Sequence, residues 1–182
     1  MSVFTNSATS APEEIKGYVA AVLGLLGDQD PMRVLRSTPD RLEAAIAGLA
    51  PAALRRPEAD GKWSIVQVLQ HLADSELVWA WRLRLTLAQD RPPLTGYDQD
   101  AWASRLRYAD ADPRQALDLF AVVRRANLAL LDAASPADWQ RVGVHAERGE
   151  ESVDHLVHLY AGHDLLHINQ VARIRGAATS DT

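Results

Sequence analysis

Apolar residues recur at three- and four-residue intervals along most of the chain, and no stretch alternates at a period of two. Helices are therefore expected and strands are not. The first helix is expected from Glu13 to Leu26, because Ser10 and Glu13 have capping-box spacing around Pro12 and Gly27 ends the run. Asp30-Pro31 can open a short helical turn. Thr38-Pro39 opens a second long segment, in which Leu42, Ala45, Ile46 and Leu49 repeat at helical spacing before Pro51. Pro51 to Gly61 reads as a loop. Ser64 and Gln67 then form a capping box for a helix that runs to about Gln89 and is stopped by Arg91-Pro92-Pro93. From Leu94 to Asp110 the pattern is irregular, with Tyr97, Trp102 and Tyr108 set among Asp98 and Asp100. The 90–112 connection reads as a long structured crossover loop. Such loops often carry function, and this one is expected to cover a pocket. Asp112-Pro113 starts a helix bearing Leu117, Phe120, Val123, Leu128 and Leu131, which ends near Ser135-Pro136. Gly143 to Gly149 form a turn, and a last helix runs from about Glu151 to Arg175 and stops at Gly176.

These segments predict an all-α four-helix bundle with a long crossover connection and short extra helices. It forms one domain over residues 10–176, with residues 1–9 and 177–182 as disordered ends. A chain of 182 residues buries enough apolar surface to fold without disulfides or a structural metal, so a bound metal is free to serve chemistry. The net charge of −5 and a pI near 5.6 argue against nucleic acid as a partner. The absence of cysteine excludes thiolate ligands, iron–sulfur clusters and a cysteine nucleophile. The polar N-terminus reads as no leader, and no stretch approaches the roughly 18 apolar residues of a membrane span. A cytoplasmic location and no membrane contact follow as the default.

The candidate chemistry is imidazole. On a helix, His163 and His167 lie one turn apart and about 40° around the axis, so both can face one ion. Leu156, Tyr160, Val171 and Ile174 share their stripe, which points the pair into the bundle, where such folds assemble metal sites. Neutral imidazole suits zinc, nickel and iron. The residue after His163 is Asp164, so the pattern is not H-E-x-x-H and a zincin protease is disfavoured. A third ligand must come from elsewhere. His71 is the other histidine on a long core helix, about 100° from the apolar centre formed by Ile65, Leu72, Trp79 and Leu83. The same spacing also suits two hydrogen-bonded core histidines, and from spacing alone both readings stand. His158 lies about 140° from His163 and His155 about 80° from it, while His145 falls in the expected turn; these three read as surface residues, with His145 also a candidate to line the pocket mouth.

The strings Gly61-Lys62-Trp63-Ser64-Ile65, Gln70-His71-Leu72-Ala73-Asp74-Ser75-Glu76 and Ala161-Gly162-His163-Asp164-Leu165-Leu166-His167-Ile168-Asn169-Gln170 together resemble the DinB-like superfamily, including its YfiT-type metal-dependent hydrolases. The resemblance spans roughly residues 30–175. It implies a bundle of DinB/YfiT type, commonly a homodimer, with one divalent metal on His71, His163 and His167. Nickel or zinc is implied first, with iron or manganese as further candidates. That family also holds transferases and an isomerase that use a low-molecular-weight thiol, so membership implies a site without a substrate.

The expected function is accordingly that of a metal-dependent enzyme acting on a small molecule. It is either a hydrolase using metal-bound water or an S-transferase using a metal-bound low-molecular-weight thiol. The alternative is a metal- or small-molecule-binding stress protein without turnover. Trp63 reads as a core anchor, and Arg82, Arg84, Arg124 and Arg125 as solvated surface with a possible role in holding an anion. Asp74, Glu76 and Asp164 are candidates to orient a ligand imidazole or to act as base. The apolar residues of the 13–26 helix exceed one core contact, which suggests a dimer face there.

Overall fold

A computed structural model describes residues 11–180. Its long helices are α1 (Pro12–Leu26), α2 (Pro31–Ile46), α4 (Ile65–Ala88), α6 (Pro113–Ala133) and α8 (Val153–Ser180). Short helices α3 (Pro51–Arg55), α5 (Gln99–Arg105) and α7 (Pro136–Trp139) sit in the connections, with one 3-10 turn at Tyr108–Asp110. The all-α four-helix bundle is observed: α2, α6, α4 and α8 pack in that order around the core, and α1 lies against α8. Helices consecutive in sequence, α2 and α4, are therefore diagonal rather than adjacent. The long crossover answers a different need: α4 and α6 are neighbours that run parallel, Glu76 meeting Arg124 and Arg84 meeting Asn127, so the chain must return along the bundle between them.

Several starts follow the local chemistry expected of them. Ser64 caps α4, with the Gln67 side chain accepting the Ser64 N–H, and Asp112 caps α6 through the N–H groups of Arg114 and Gln115. At α1 the cap is Ala11, whose N–H is taken by Glu14 rather than Glu13. The proposed Ser10 cap and the disordered lead-in at 1–9 lie outside the described residues. Helix α8 continues past Gly176 to Ser180, four residues beyond its expected end.

Two expectations are corrected. Asp30-Pro31 and Thr38-Pro39 do not open separate segments: one helix, α2, runs through Pro39. A proline there removes the N–H that the Leu35 carbonyl would accept. Arg124, from α6, donates to that carbonyl at 2.9 Å instead, and the Thr38 hydroxyl closes the same turn on Val34 O. The second correction is a small sheet where a turn was expected. Strand β1 (Pro93–Leu94) pairs in parallel with β2 (Val142–His145), which pairs antiparallel with β3 (Gly149–Ser152). Gly143 lets β2 approach, since a Cβ there would stand 2.7 Å from the Leu94 side chain and 2.8 Å from Thr86 Oγ1. His145 is consequently buried on β2 rather than exposed in a turn.

The core has three apolar clusters. One gathers Trp63, Leu69, Leu72, Phe120, Val171 and Ile174, a second Leu26, Leu35, Trp79, Leu83, Val157 and Tyr160, and a small third joins Val22 of α1 to Leu159 and Leu166 of α8. Between the two large ones stands Arg124, fully buried, its guanidinium 4.6 Å from the Phe120 ring and 5.4 Å from that of Trp79. It donates to both carboxylate oxygens of Glu76 on α4, to both of Asp164 on α8, and to Leu35 O on α2. One cation thus joins all four bundle helices. Arg124→Met keeps an apolar stem between the rings but strands two buried carboxylates and a carbonyl, so a loss of about 3–5 kcal/mol in urea unfolding is expected. A loss below about 1 kcal/mol, the scale of one ordinary hydrogen bond, would show that bundle closure does not depend on this cation.

Candidate metal centre

The histidine cluster grows from two helices of the ring. His71 comes from the second turn of α4, and His163 and His167 from successive turns of α8; ligand atoms of the three lie within 4.8 Å of one another. The α8 pair can sit under α1 because residue 162 is glycine, where a Cβ would stand 2.2 Å from Val22 O. The Nε2 atoms of His71 and His163 are 3.2 Å apart. Two nitrogens at Zn–N distances on a tetrahedral ion stand about 3.3 Å apart, so this pair has the spacing such an ion needs.

Protonation favours ligation as well. Burial holds His71 and His163 well below the usual imidazole range, reinforced at each by its histidine neighbours, and holds His167 down to about 4. All three are neutral near pH 7, the form that binds metals. The tautomer at His167 follows from its partners. Glu58 only accepts, so the Gln170 amide turns its Nε2 toward Glu58 at 3.5 Å and its Oε1 toward His167 Nδ1 at 2.9 Å. Nδ1 therefore carries the proton, leaving the Nε2 lone pair bare for the cluster. His71 lacks such support: its Nδ1 is buried without a partner, and its ring packs at 4.9 Å from Trp63. The donor set fits a borderline divalent ion such as zinc or nickel.

A cavity of about 670 Å³, including its solvent-open mouth, lies against His71 and His163. Its walls include Tyr18, Ser75, Arg82, Tyr97, Arg148 and Tyr160. Ser75 Oγ is 3.4 Å from His71 Nε2 and 2.7 Å from the Tyr97 hydroxyl. Burial pushes the phenols of Tyr97 and Tyr160 up, so both keep their protons at neutral pH. The sheet sets the far wall, since β1 leads into Thr95 and Tyr97 while the β2–β3 turn supplies Arg148, paired with Glu151 at 2.9 Å. The crossover does reach the pocket through Tyr97 and Gln99. Asp98 instead caps α5, and Trp102, which does not line the pocket, packs tilted against Tyr97 with ring centres 4.6 Å apart.

The acidic candidates do not join this site. Asp74 accepts from the Tyr108 hydroxyl at 2.6 Å and from Gln70, while Glu76 and Asp164 are held by Arg124. Among the described residues, no carboxylate lines the cavity. Arg82 and Arg124 are buried rather than solvated, whereas Arg84 and Arg125 are exposed. His158 lies outside the site, its Nδ1 2.9 Å from Asp154 O. Gln170 was not a candidate, though its place three residues after His167, on the same helix face, is the signal that finds it.

Residues 35–171 match the family model of the DinB superfamily. The chain belongs to that superfamily. Within it, the chain is 27% identical over 177 residues to a protein of Geobacillus thermodenitrificans, covering 96% of this chain and 92% of the relative. It is 29% identical over 149 residues to YfiT of Bacillus subtilis, covering 80% and 84%. Both relatives carry the provisional name of metal-dependent hydrolase. The solved structure of Bacillus subtilis YfiT, a four-helix bundle described as unusual in topology, superposes with a TM-score of 0.73 at 28% identity, covering 80% of this chain and 86% of that one. In this DinB member the diagonal placement of α2 and α4 is itself a departure from up-and-down wiring. No helix among the described residues is long and apolar enough to cross a membrane.

The depressed histidines make the metal-free protein acid-sensitive. Between pH 6.5 and about 4 the unfolded state binds protons at these positions and the folded state does not, so stability falls as pH falls. Melting temperature of the chelated protein should decline from pH 6.5 downward, and metal should lessen the decline by competing with those protons. A profile flat from pH 7 to 5.5 would contradict burial of neutral imidazoles.

Proposed function

We propose that His71, His163 and His167 hold one divalent ion, zinc or nickel, and that the protein is a metal-dependent enzyme acting on a small molecule in the cavity beside it. The observation that carries this reading is the convergence of three neutral imidazoles, His71 and His167 buried and His163 half-buried, with His71 and His163 on the wall of an open cavity. The names of the relatives support hydrolysis of an amide or ester as the reaction. Bound there, the ion would supply Lewis acidity, activating a water or thiol near neutral pH.

The chain's own groups have defined tasks. Gln170 and Glu58 fix the His167 tautomer, and Trp63 with the Phe120 cluster keeps water from the rear of the triad. Ser75 and Tyr97 present protonated hydroxyls beside His71, placed to donate to an oxygen on which negative charge develops. One observation favours a second reading, transfer of a low-molecular-weight thiol. With no carboxylate in the cavity lining, hydrolysis lacks the usual general base, whereas a thiol activated by the ion needs none. Release of acid or amine from amide and ester panels distinguishes hydrolysis from consumption of added thiol.

Alanine at His71, His163 or His167 should sharply reduce metal content, by more than the 10–100-fold in affinity typical of losing a supporting residue. His158→Ala should leave it unchanged, since that ring lies outside the cluster. Because the core is closed by apolar clusters and Arg124, chelation should leave far-ultraviolet dichroism intact. Metal retained in His71→Ala and lost in His158→Ala would overturn the assignment, and unfolding on chelation would favour a purely structural ion.

We also propose a homodimer. The outward side of α1 carries Glu13, Glu14 and Lys16 with small residues and Leu25, while Trp81 is 64% exposed, Val122 54% and Leu77 44%, on the adjacent helices α4 and α6. Those larger groups make α4 and α6 the better face. Light scattering at tens of micromolar should give twice the chain mass, falling toward one in Trp81→Glu; a monomeric parent would refute it.

A further inference from the structure

The cavity beside the triad contains a cation that the proposed chemistry does not use. Arg82 is 5% exposed, on the side of α4 that lines the cavity. Its five N–H groups make only two bonds, to Thr95 O at 2.6 Å and to the Tyr160 hydroxyl at 3.4 Å, and its buried Nε–H has no partner. Buried arginines ordinarily pair with carboxylates, as Arg124 does with Glu76 and Asp164 and Arg148 does with Glu151. Arg82 has no carboxylate partner among the described residues. Counting the charged groups of the lining with the Glu151 behind them, two arginines face one acid, and the neighbouring carboxylate, Glu147, stands against Gly96 and makes no ion pair with Arg82. Desolvating a cation without a counter-charge is costly, and the cost persists only where something offsets it.

We propose that Arg82 is the seat for a carboxylate or other single negative charge at the far end of the substrate. The proposal rests on the metal reading above, because the triad end of the cavity would receive the reacting group. Tyr160 spans the two ends: its hydroxyl accepts from Arg82, and its ring lies 6.1 Å from that of His163 and 4.7 Å from that of Trp79, which holds it flat. A substrate lying along Tyr160 therefore touches the guanidinium at one end and the imidazoles at the other. The neutral, protonated tyrosines between them do not repel an anion. Arg148, already bound through Nε and one terminal nitrogen by Glu151, is left to line the route in.

The test uses the zinc-loaded protein and alkyl hydroxamates of increasing chain length that end either in a carboxylate or in its primary amide. At one length the acid should bind about tenfold to a hundredfold more tightly than the amide by calorimetry, the worth of a charge-assisted pair. Arg82→Gln should abolish that difference while zinc content and the affinity for the amide are kept, and Arg82→Lys should restore part of it. Equal binding of acid and amide to the parent at every length overturns the seat with no variant needed, while zinc uptake would still support the metal reading. A preference that survives in Arg82→Gln also overturns it, because the anion would then be held elsewhere. Failure to take up zinc overturns both readings and is recognised before any probe is added.

Discussion

A single buried guanidinium sets the terms for the rest of the molecule. Arg124 offers five N–H groups in a planar fork, and every partner it takes lies on a different helix of the ring from its own. A buried ion network of this kind contributes little net stability compared with well-packed apolar groups, because desolvation offsets most of the attraction. Its value is in specifying arrangement. The bundle pairs its helices out of sequence order, and four apolar stripes alone would tolerate other orders and rotations. The fork accepts only the arrangement that brings Glu76, Asp164 and Leu35 O together, and Pro39, by removing a backbone donor, leaves that carbonyl waiting for it.

This explains which features were legible in the chain. Helix starts governed by neighbours in sequence, such as Ser64 with Gln67 and Asp112 before Pro113, were readable because both partners lie within one turn. The histidine pair was readable for the same reason. Pro39 was misread as a boundary because its compensation comes from a residue 89 positions away from Leu35. The strands escaped notice because β1 has two residues and β3 reads Gly-Glu-Glu-Ser, too short and too polar for a period of two to register. His145 was misplaced with them. Asp74, Glu76 and Asp164 were read as candidates to orient a ligand imidazole or act as base and instead serve Tyr108 and Arg124, because sequence shows a carboxylate and not its partner. Arg82 likewise needed the structure, since a lone arginine on a helix is most often solvated.

The network and the histidine cluster are coupled through adjacent residues. Asp164 follows His163 and Glu76 follows Ser75, so about 100° of helical rotation separates a side chain held by Arg124 from one facing the cavity. Fixing the acids therefore fixes the rotation of α4 and α8 that aims His71, Ser75, His163 and His167. The coupling is electrostatic too, since the charges of Arg124 and Asp164 are felt at His163 and His167 respectively. A substitution in the network would be read out at the triad without touching a ligand atom.

Charge is arranged along one line through the bundle. With both acids ionised, Arg124, Glu76 and Asp164 carry one surplus negative charge behind the triad, where burial and then Asp164 push the Glu76 carboxyl up against the pull of Arg124. A dication on the histidines would relieve that surplus, while a neutral core would not. On the opposite side, Arg82 adds a positive charge to the cavity wall. With a dication on the histidines, positive charge would stand at both ends of the cavity, and the field there would oppose a cationic ligand and favour an anionic one. Three neutral imidazoles leave the charge of a bound ion uncancelled, unlike a site built with carboxylates, so the ion would remain a strong Lewis acid. Among the described residues no acid lines the cavity, and the carboxylates that this fold needs for its architecture stand where they would steady the histidines without quenching a bound ion.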